Sequence, residues 1–217
     1  MSNELLTGDQ IADLGLDDWR PMLGAIEARF RTGNFATGLR LTNAISEAAE
    51  AANHHPDVTL TYPAVHVLLT SHDVGGKTQR DVDLARTISQ IAADMNVAAE
   101  PAAVQRLEFA LDAADIARVR AFWAAALQMK AEGDDELIDP NGVIPTFWFQ
   151  QTDPHSEPRQ RFHLDLRIPP EEVESRLAAA VAAGGTLISD SEAPRFWVVA
   201  DPEGNKICFC THLTRLH

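Results

Sequence analysis

Cysteine is almost absent from these 217 residues, with Cys208 and Cys210 the two there are. Their spacing puts both on one face of a strand, so no disulfide framework holds the fold, and a reducing compartment suits the chain. Positive charge is scarce as well. Eighteen Lys and Arg stand against 32 Asp and Glu, a net charge of −14, which repels a phosphate backbone and argues against nucleic acid as a partner. The deficit is even along the chain: residues 1–100 carry 7 basic and 14 acidic groups and residues 101–217 carry 11 and 18, so each half is −7. Long apolar runs are missing too. The longest uncharged alanine-rich stretch, Leu177 to Ser189, is shorter than the roughly 20 residues a bilayer span needs. The opening Met-Ser-Asn-Glu-Leu-Leu has no cationic stretch before an apolar core, so a cytoplasmic protein with no membrane partner is expected.

What is present is enough apolar material for a core: 45% of the residues are apolar and 23% charged, a globular composition. At about 150 residues per domain the length allows one large or two small domains, and two is the expectation. Thr7-Gly-Asp-Gln10 has the form of a capping box ahead of Ile11 and Leu14, which opens a short helix. Trp19 to Arg31 reads as two short strands around Gly24. Asn34 is an N-cap for a helix to about Asn53, with Leu41, Ala44, Ile45, Ala48 and Ala52 recurring at three and four and Gly38 weakening its first turn. From Asp57 the period changes to two. Val58, Leu60 and Tyr62 alternate with threonines, Pro63-Ala64 breaks the run, and Val65, Val67 and Leu69 resume it, which is a hairpin. Thr78 then caps a helix with Asp81 at N3, and Val82, Ala85, Ile88, Ala92 and Met95 form its core stripe. Strand-strand-helix-strand-strand-helix gives an α+β domain over residues 1–98, an antiparallel sheet covered on one face by helices.

Asn96 to Val104 has no periodicity and one proline, so a linker is placed there, at 99–103. Residues 104–217 form the second domain: a strand over Arg106–Asp112, a helix over Asp115–Gln128 with Ile116, Val119, Phe122 and Trp123 apolar, then strands near Leu137 and over Thr146–Gln150. A strand over Arg161–Ile168, a helix over Pro170–Ala183, and strands over Thr186–Ser189, Phe196–Ala200 and Lys206–Thr211 repeat that order of elements, although the letters do not repeat.

Four histidines, His54, His55, His66 and His72, lie within 19 residues. Folding the chain about Pro63-Ala64 pairs residues whose numbers add to 126 or 127, which sets His72 across from His54 or His55, where Cβ atoms stand about 5 Å apart. Three imidazoles then meet at the open end of the hairpin, while His66 sits roughly 20 Å along the strand and outside the cluster. Imidazoles titrate near neutral pH, so such a group can hold one ring protonated and another neutral, as a concerted elimination needs. Asp81 can orient or charge-stabilise one ring. The bland alternative makes His54-His55-Pro56 a helix exit and His72 a strand end. A three-histidine metal site has no carboxylate or cysteine spaced to complete it.

Glu50-Ala-Ala-Asn-His54-His55-Pro56-Asp57, then Tyr62, His66, Ser71-His72-Asp73, Gly76 and Arg80-Asp81, resembles the pterin-4a-carbinolamine dehydratase signature, over about residues 5–98. The opening Leu6 to Ile11 and Trp19 resemble the N-terminal segment of that family. The resemblance implies a four-stranded antiparallel sheet with helices on one face, and dehydration of a 4a-hydroxytetrahydropterin without metal or cofactor. By position it makes His54, His55 and His72 the acid-base residues with Asp81 in support, and assigns Pro56, Tyr62, Ser71 and Asp73 to the pterin substrate. One departure stands out: where the family often has a tryptophan, this chain has Val58.

Residues 104–213 resemble the glyoxalase, bleomycin-resistance and extradiol-dioxygenase superfamily through Leu107-Glu108-Phe109, Phe162-His163-Leu164-Asp165-Leu166 and Asp201-Pro202-Glu203-Gly204-Asn205. The resemblance implies paired βαβββ modules, and it places the positions of the superfamily's metal ligands at Glu108, His163 and Cys208. Because Cys208 replaces the usual carboxylate, no catalytic metal is expected. Trp148, Phe147, Phe196 and Trp197 are candidates to line an apolar pocket. Self-association is implied for both halves. Two alternatives remain: metal-dependent lyase or dioxygenase chemistry in the second domain, or a non-catalytic binding and dimerisation protein.

Overall fold

Thr7 starts the first helix as its spacing predicts. Its hydroxyl accepts the Gln10 amide at 3.2 Å and Gln10 Oε1 accepts the Thr7 amide at 2.8 Å, closing a capping box on α1 (Gly8–Ala12). The computed structural model describes residues 4–117, 119–120, 124, 129–142, 144–154, 162–182, 185–200 and 206–214. Backbone contacts divide the chain into two compact units, the first holding residues up to Val104 with Pro169–Glu171 and His212–Thr214, and the second running from Gln105 to Ile168 and from Glu172 to Thr211.

In the first unit, β1 (Arg20–Met22) and β2 (Ala25–Arg31) form a hairpin whose turn includes Leu23 at φ 49°. After α2 (Phe35–Ala52), β3 (Asp57–Thr61) and β4 (Ala64–Leu69) form a second hairpin, followed by α3 (Gln79–Asp94). The sheet order is β1-β2-β4-β3, all antiparallel. Residues 96–104 are not a bare linker, because Ala98–Ala99 pair with β2 as β5 and Pro101–Ala103 make a 3-10 turn. Val97 and Val104 are buried, and that apolar anchoring was masked by the alanines around it.

Alternate residues of β2 and β4 (Ile26, Ala28, Phe30, Val65, Val67 and Leu69) are almost wholly buried in one cluster with Leu41, Ile45 and Ala49 of α2 and Val82, Ala85, Ile88 and Ala92 of α3. Helix spacing and strand alternation thus meet at one interface. Truncating Ile45 or Leu41 to alanine would cost about 2–5 kcal/mol. The stripe of α2 departs from the expected one at its end, where Ala52 is exposed and Ala49 is buried. Gly38 is not merely a weak helix residue. A Cβ there would stand 2.5 Å from Leu60 Cδ1, so glycine lets the first turn of α2 lie close to β3.

The second unit is one eight-stranded sheet of order β11-β12-β13-β10-β6-β9-β8-β7. Its strands are β6 (Arg106–Ala113), β7 (Lys130–Glu132), β8 (Glu136–Ile138), β9 (Phe147–Gln151), β10 (Phe162–Arg167), β11 (Thr186–Ser189), β12 (Phe196–Ala200) and β13 (Lys206–Cys210). β6 and β10 pair antiparallel at the centre, and each takes the last strand of its own half in parallel, β9 on β6 and β13 on β10. The two halves therefore repeat the strand arrangement, which is the paired-module fold the resemblance implies. A helix, α4 (Val173–Ala182), follows a 3-10 turn at Pro170–Glu172 in the second half. In the first half residues 116–117, 119–120 and 124 are helical; Phe122 and Trp123 lie outside the described residues, as do Asp201–Asn205. One face of the sheet is apolar: Phe147 and Phe149 pack with Leu111 and Leu137, and Phe209 and Val199 with Ile168 and Val173. Phe147 belongs to the first of these clusters, and Trp197, partly buried, packs against the second.

Candidate active site

The end of α2 determines what His54 can do. Asn53 takes the left-handed conformation, φ 48° and ψ 43°, which asparagine tolerates better than most side chains. The His54 amide returns to the Ala49 carbonyl at 3.1 Å. His54 consequently enters the interior, 7% exposed, whereas His55 is directed outward.

Buried His54 meets Asp81, which is 0% exposed, with Nε2 to Oδ1 at 2.7 Å. Asp81 is also the N3 residue of the α3 capping box. Its Oδ2 accepts the Thr78 amide at 2.7 Å and the Ser71 hydroxyl at 2.8 Å. A carboxylate that accepts throughout in this way takes a proton donor from the ring, so His54 carries its proton on Nε2 and its Nδ1 is left to accept or release one. The same carboxylate thus starts a helix and fixes a tautomer. The Ser71 and Thr78 hydroxyls stand 2.8 Å apart, completing a buried polar group whose members are all partnered.

The loop after β4 is closed by a bridge between Ser71 and Gly76, with the Ser71 amide on the Gly76 carbonyl at 2.8 Å. Gly75, at φ 67°, makes the turn. His72 and Asp73 are exposed in it. Arg80 donates to Asp73 at 2.7 Å, tying the loop to the start of α3. That hydrogen bond, with the guanidinium charge, holds the Asp73 carboxyl below its ordinary value. Lys77, in the same stretch, is buried with its ammonium on the Leu23 carbonyl at 2.6 Å, and burial lowers its affinity for the proton against the opposing pull of Asp81.

The hairpin register differs from the expected one. Asp57 pairs with Leu68 and Thr61 with Ala64, so paired numbers add to 125, because Tyr62-Pro63 form a two-residue turn ahead of Ala64. Pairing ends at Asp57 and Leu68, so His72 falls beyond the ladder, in the loop, and does not face His54 or His55 across paired strands. His55 pairs with Glu50 at 3.1 Å on the surface, and among the described residues His72 makes no hydrogen bond, ion pair or ring contact. What comes together is His54, Asp81, Ser71 and Thr78. Pro56 is half-buried beside His54 in sequence, whereas Tyr62, 71% exposed, lies at the far end of β3, roughly 17 Å along the strand from Asp57. His66 pairs with the buried Glu27 at 3.0 Å, away from this group. Thr78 escaped notice as a member of the site because its capping role already explained it.

On the polar face of the second sheet, Glu108 Oε2 meets Arg167 Nε at 2.5 Å, both side chains being 6% exposed. His163 stands between Asp112, 3.7 Å from Nδ1, and Asp165, 3.6 Å from Nε2, with Trp148 edge-on at 5.8 Å.

Residues 4–91 match the family profile Pterin 4 alpha carbinolamine dehydratase, and residues 108–210 match that of a Glyoxalase-like domain. A protein of Picosynechococcus sp., provisionally named a pterin-4-alpha-carbinolamine dehydratase, is 45% identical over 74 residues, 34% of this chain and 80% of that protein. Among solved structures, a transcriptional coactivator/pterin dehydratase from Brucella melitensis is 29% identical, covering 41% of this chain and 99% of its own, with a TM-score of 0.39. A glyoxalase/bleomycin resistance protein/dioxygenase superfamily member from Vibrio splendidus is 18% identical, covering 50% and 99%, with a TM-score of 0.34. No helix among the described residues is long and apolar enough to cross a membrane.

Proposed function

This chain belongs, over residues 4–91, to the pterin 4 alpha carbinolamine dehydratase family, and from that premise we propose that it dehydrates a 4a-hydroxytetrahydropterin to the quinonoid dihydropterin by histidine acid-base catalysis. The observation that carries the reading is the buried His54–Asp81 pair at 2.7 Å, backed by Ser71 and Thr78. Neutral His54 takes the N5 proton on Nδ1, and Asp81 stabilises the imidazolium that forms. The N5 electrons make the N5–C4a double bond as the C4a–O bond breaks. A second imidazole protonates the departing hydroxyl, so that water leaves and no charge is stranded. His55 and His72, both exposed, are the candidates for that donor. Ser71 acts by orienting Asp81, and Pro56 and Asp73 bound the pterin.

In this reading residues 1–98 are the dehydratase unit, 99–103 the connection and 104–217 the glyoxalase-like unit. A homo-oligomer accords with Phe35 and Leu39, which expose apolar side chains four residues apart on α2. The test is the rate of quinonoid dihydropterin formation for the intact chain and for His54→Ala, His55→Ala and His72→Ala. Loss of about 10²- to 10⁴-fold is the scale of a general acid or base. If His54→Ala keeps full activity, His54 is no catalytic residue and the reading fails.

A further inference from the structure

We propose that His163, Asp165 and Cys208 hold a divalent metal ion of borderline softness, zinc or cobalt, on the polar face of the second sheet. The three side chains present a nitrogen, an oxygen and a sulfur that all lie within 4.8 Å of one another. They come from two neighbouring strands in register. Asp165 on β10 pairs with Cys208 on β13, and His163 lies two residues before Asp165, on the same face.

The set differs from the one that the superfamily resemblance implies. Glu108 lies in register with Asp165 on its other side, but its carboxylate is already neutralised by Arg167 at 2.5 Å. Asp165 has no guanidinium or ammonium partner among the described residues, and the His163 ring, 3.6 Å away, is its one ion-pair neighbour there. Asp165 is 2% exposed, and its Oδ1 makes no hydrogen bond among the described residues. A buried carboxylate oxygen in that condition is costly unless a cation faces it.

The distances suit an ion. Two donors bound about 2.1 Å from one ion at a tetrahedral angle stand roughly 3.4 Å apart, and His163 Nε2 is 3.6 Å from Asp165 Oδ1. That separation is too long for a hydrogen bond and close to a shared-ion spacing. Asp112 lies on the other ring nitrogen, 3.7 Å from Nδ1, where a carboxylate behind a metal-bound imidazole fixes its tautomer. Trp148 packs edge-on against the ring at 5.8 Å and 84°, which limits its rotation. A sulfur, nitrogen and oxygen set selects zinc or cobalt over magnesium or calcium, which take oxygen ligands. Three protein donors leave a position open, and a metal bound there would polarise a ligand oxygen.

The test uses the full chain stripped with chelator, titrated with Zn²⁺ by calorimetry and with Co²⁺ by absorption near neutral pH. One ion per chain and a thiolate-to-cobalt charge-transfer band are expected. Cys208→Ser should abolish the band and Cys210→Ser keep it. Asp165→Asn should weaken binding at least as much as Asp112→Asn, which should cost about 10- to 100-fold. His54→Ala and His55→Ala should leave the affinity unchanged, which separates this site from the first unit. No uptake by the wild-type chain up to about millimolar metal, uptake without the thiolate band, or affinity unmoved by Asp165→Asn in a folded protein would each overturn the proposal. The wild-type spectrum decides even if a variant fails to fold.

Discussion

Replacing Asp81 with Asn changes one atom and tests whether the carboxylate sets the chemistry of His54. Asp81 now accepts at close range from His54 Nε2 at 2.7 Å, the Thr78 amide at 2.7 Å and the Ser71 hydroxyl at 2.8 Å, with the Thr78 hydroxyl farther off at 3.4 Å. An asparagine offers one acceptor oxygen and an amide that donates. If the oxygen stays with Thr78 and Ser71, the amide faces His54 and drives the ring proton from Nε2 to Nδ1, removing the base atom. The same substitution behind a catalytic histidine in another enzyme class costs about 10⁴-fold through the wrong tautomer, and a loss of about 10²- to 10⁴-fold in kcat is expected here. Losing charge-assisted bonds in a fully buried site should also cost about 1–3 kcal/mol of stability. Initial rates would be measured beside a urea melt, with the His54 tautomer read from ring ¹⁵N shifts. A folded Asp81→Asn chain that keeps the Nε2–H tautomer and more than about a tenth of the activity would refute the reasoning.

Asn53→Ala should lose about 1–2 kcal/mol in a urea melt, because alanine resists the left-handed backbone there, whereas Asn53→Gly should be nearly neutral. Gly38→Ala should stay within about 1 kcal/mol of wild type, helix propensity offsetting the shift of the flexible Leu60 tip, while Gly38→Leu should cost about 1–3 kcal/mol through overpacking. Glu108→Ala strands a buried Arg167 and should lower stability by about 3–5 kcal/mol, and the double change to apolar residues should recover most of it. Burial holds Lys77 below its ordinary value, so the unfolded chain binds that proton more readily. Stability should therefore rise with pH from the folded value toward about 10.4, and Lys77→Met should remove that slope in melts across alkaline pH. The Arg80 hydrogen bond lowers Asp73, which gives the opposite window. Its stabilisation is present above about pH 3.9 and is lost as pH falls through the folded value, a small acid slope that Asp73→Asn should remove.

The first unit was largely legible because its signals are local. The capping residues Thr7, Asn34 and Thr78 and the change of period at Asp57 each act within a few residues, and the helices and hairpins follow them. Asp81 beside a histidine was legible for the same reason: an N3 carboxylate sits at a fixed place at the head of its helix. The register of β3 on β4 was not, since it depends on whether Pro63-Ala64 or Tyr62-Pro63 makes the turn, and neither was the end of the ladder at Asp57 and Leu68, which leaves His72 in a loop. Nor could the sequence reveal that Asn53 would turn His54 inward and His55 outward, because that depends on one left-handed residue. On the second sheet, strand alternation placed Glu108, His163 and Cys208 on one face. The pairing of Glu108 with Arg167 depends on which residues lie diagonally across β6 and β10, and only the fold supplies that.

The most direct test of the account is the turnover of a 4a-hydroxytetrahydropterin by the full chain, measured against spontaneous dehydration at the same pH, with His54→Ala alongside. The account expects rapid catalysis by the wild type and a fall of about 10²-fold or more in the variant. A folded wild-type chain that gives only the spontaneous rate would contradict it.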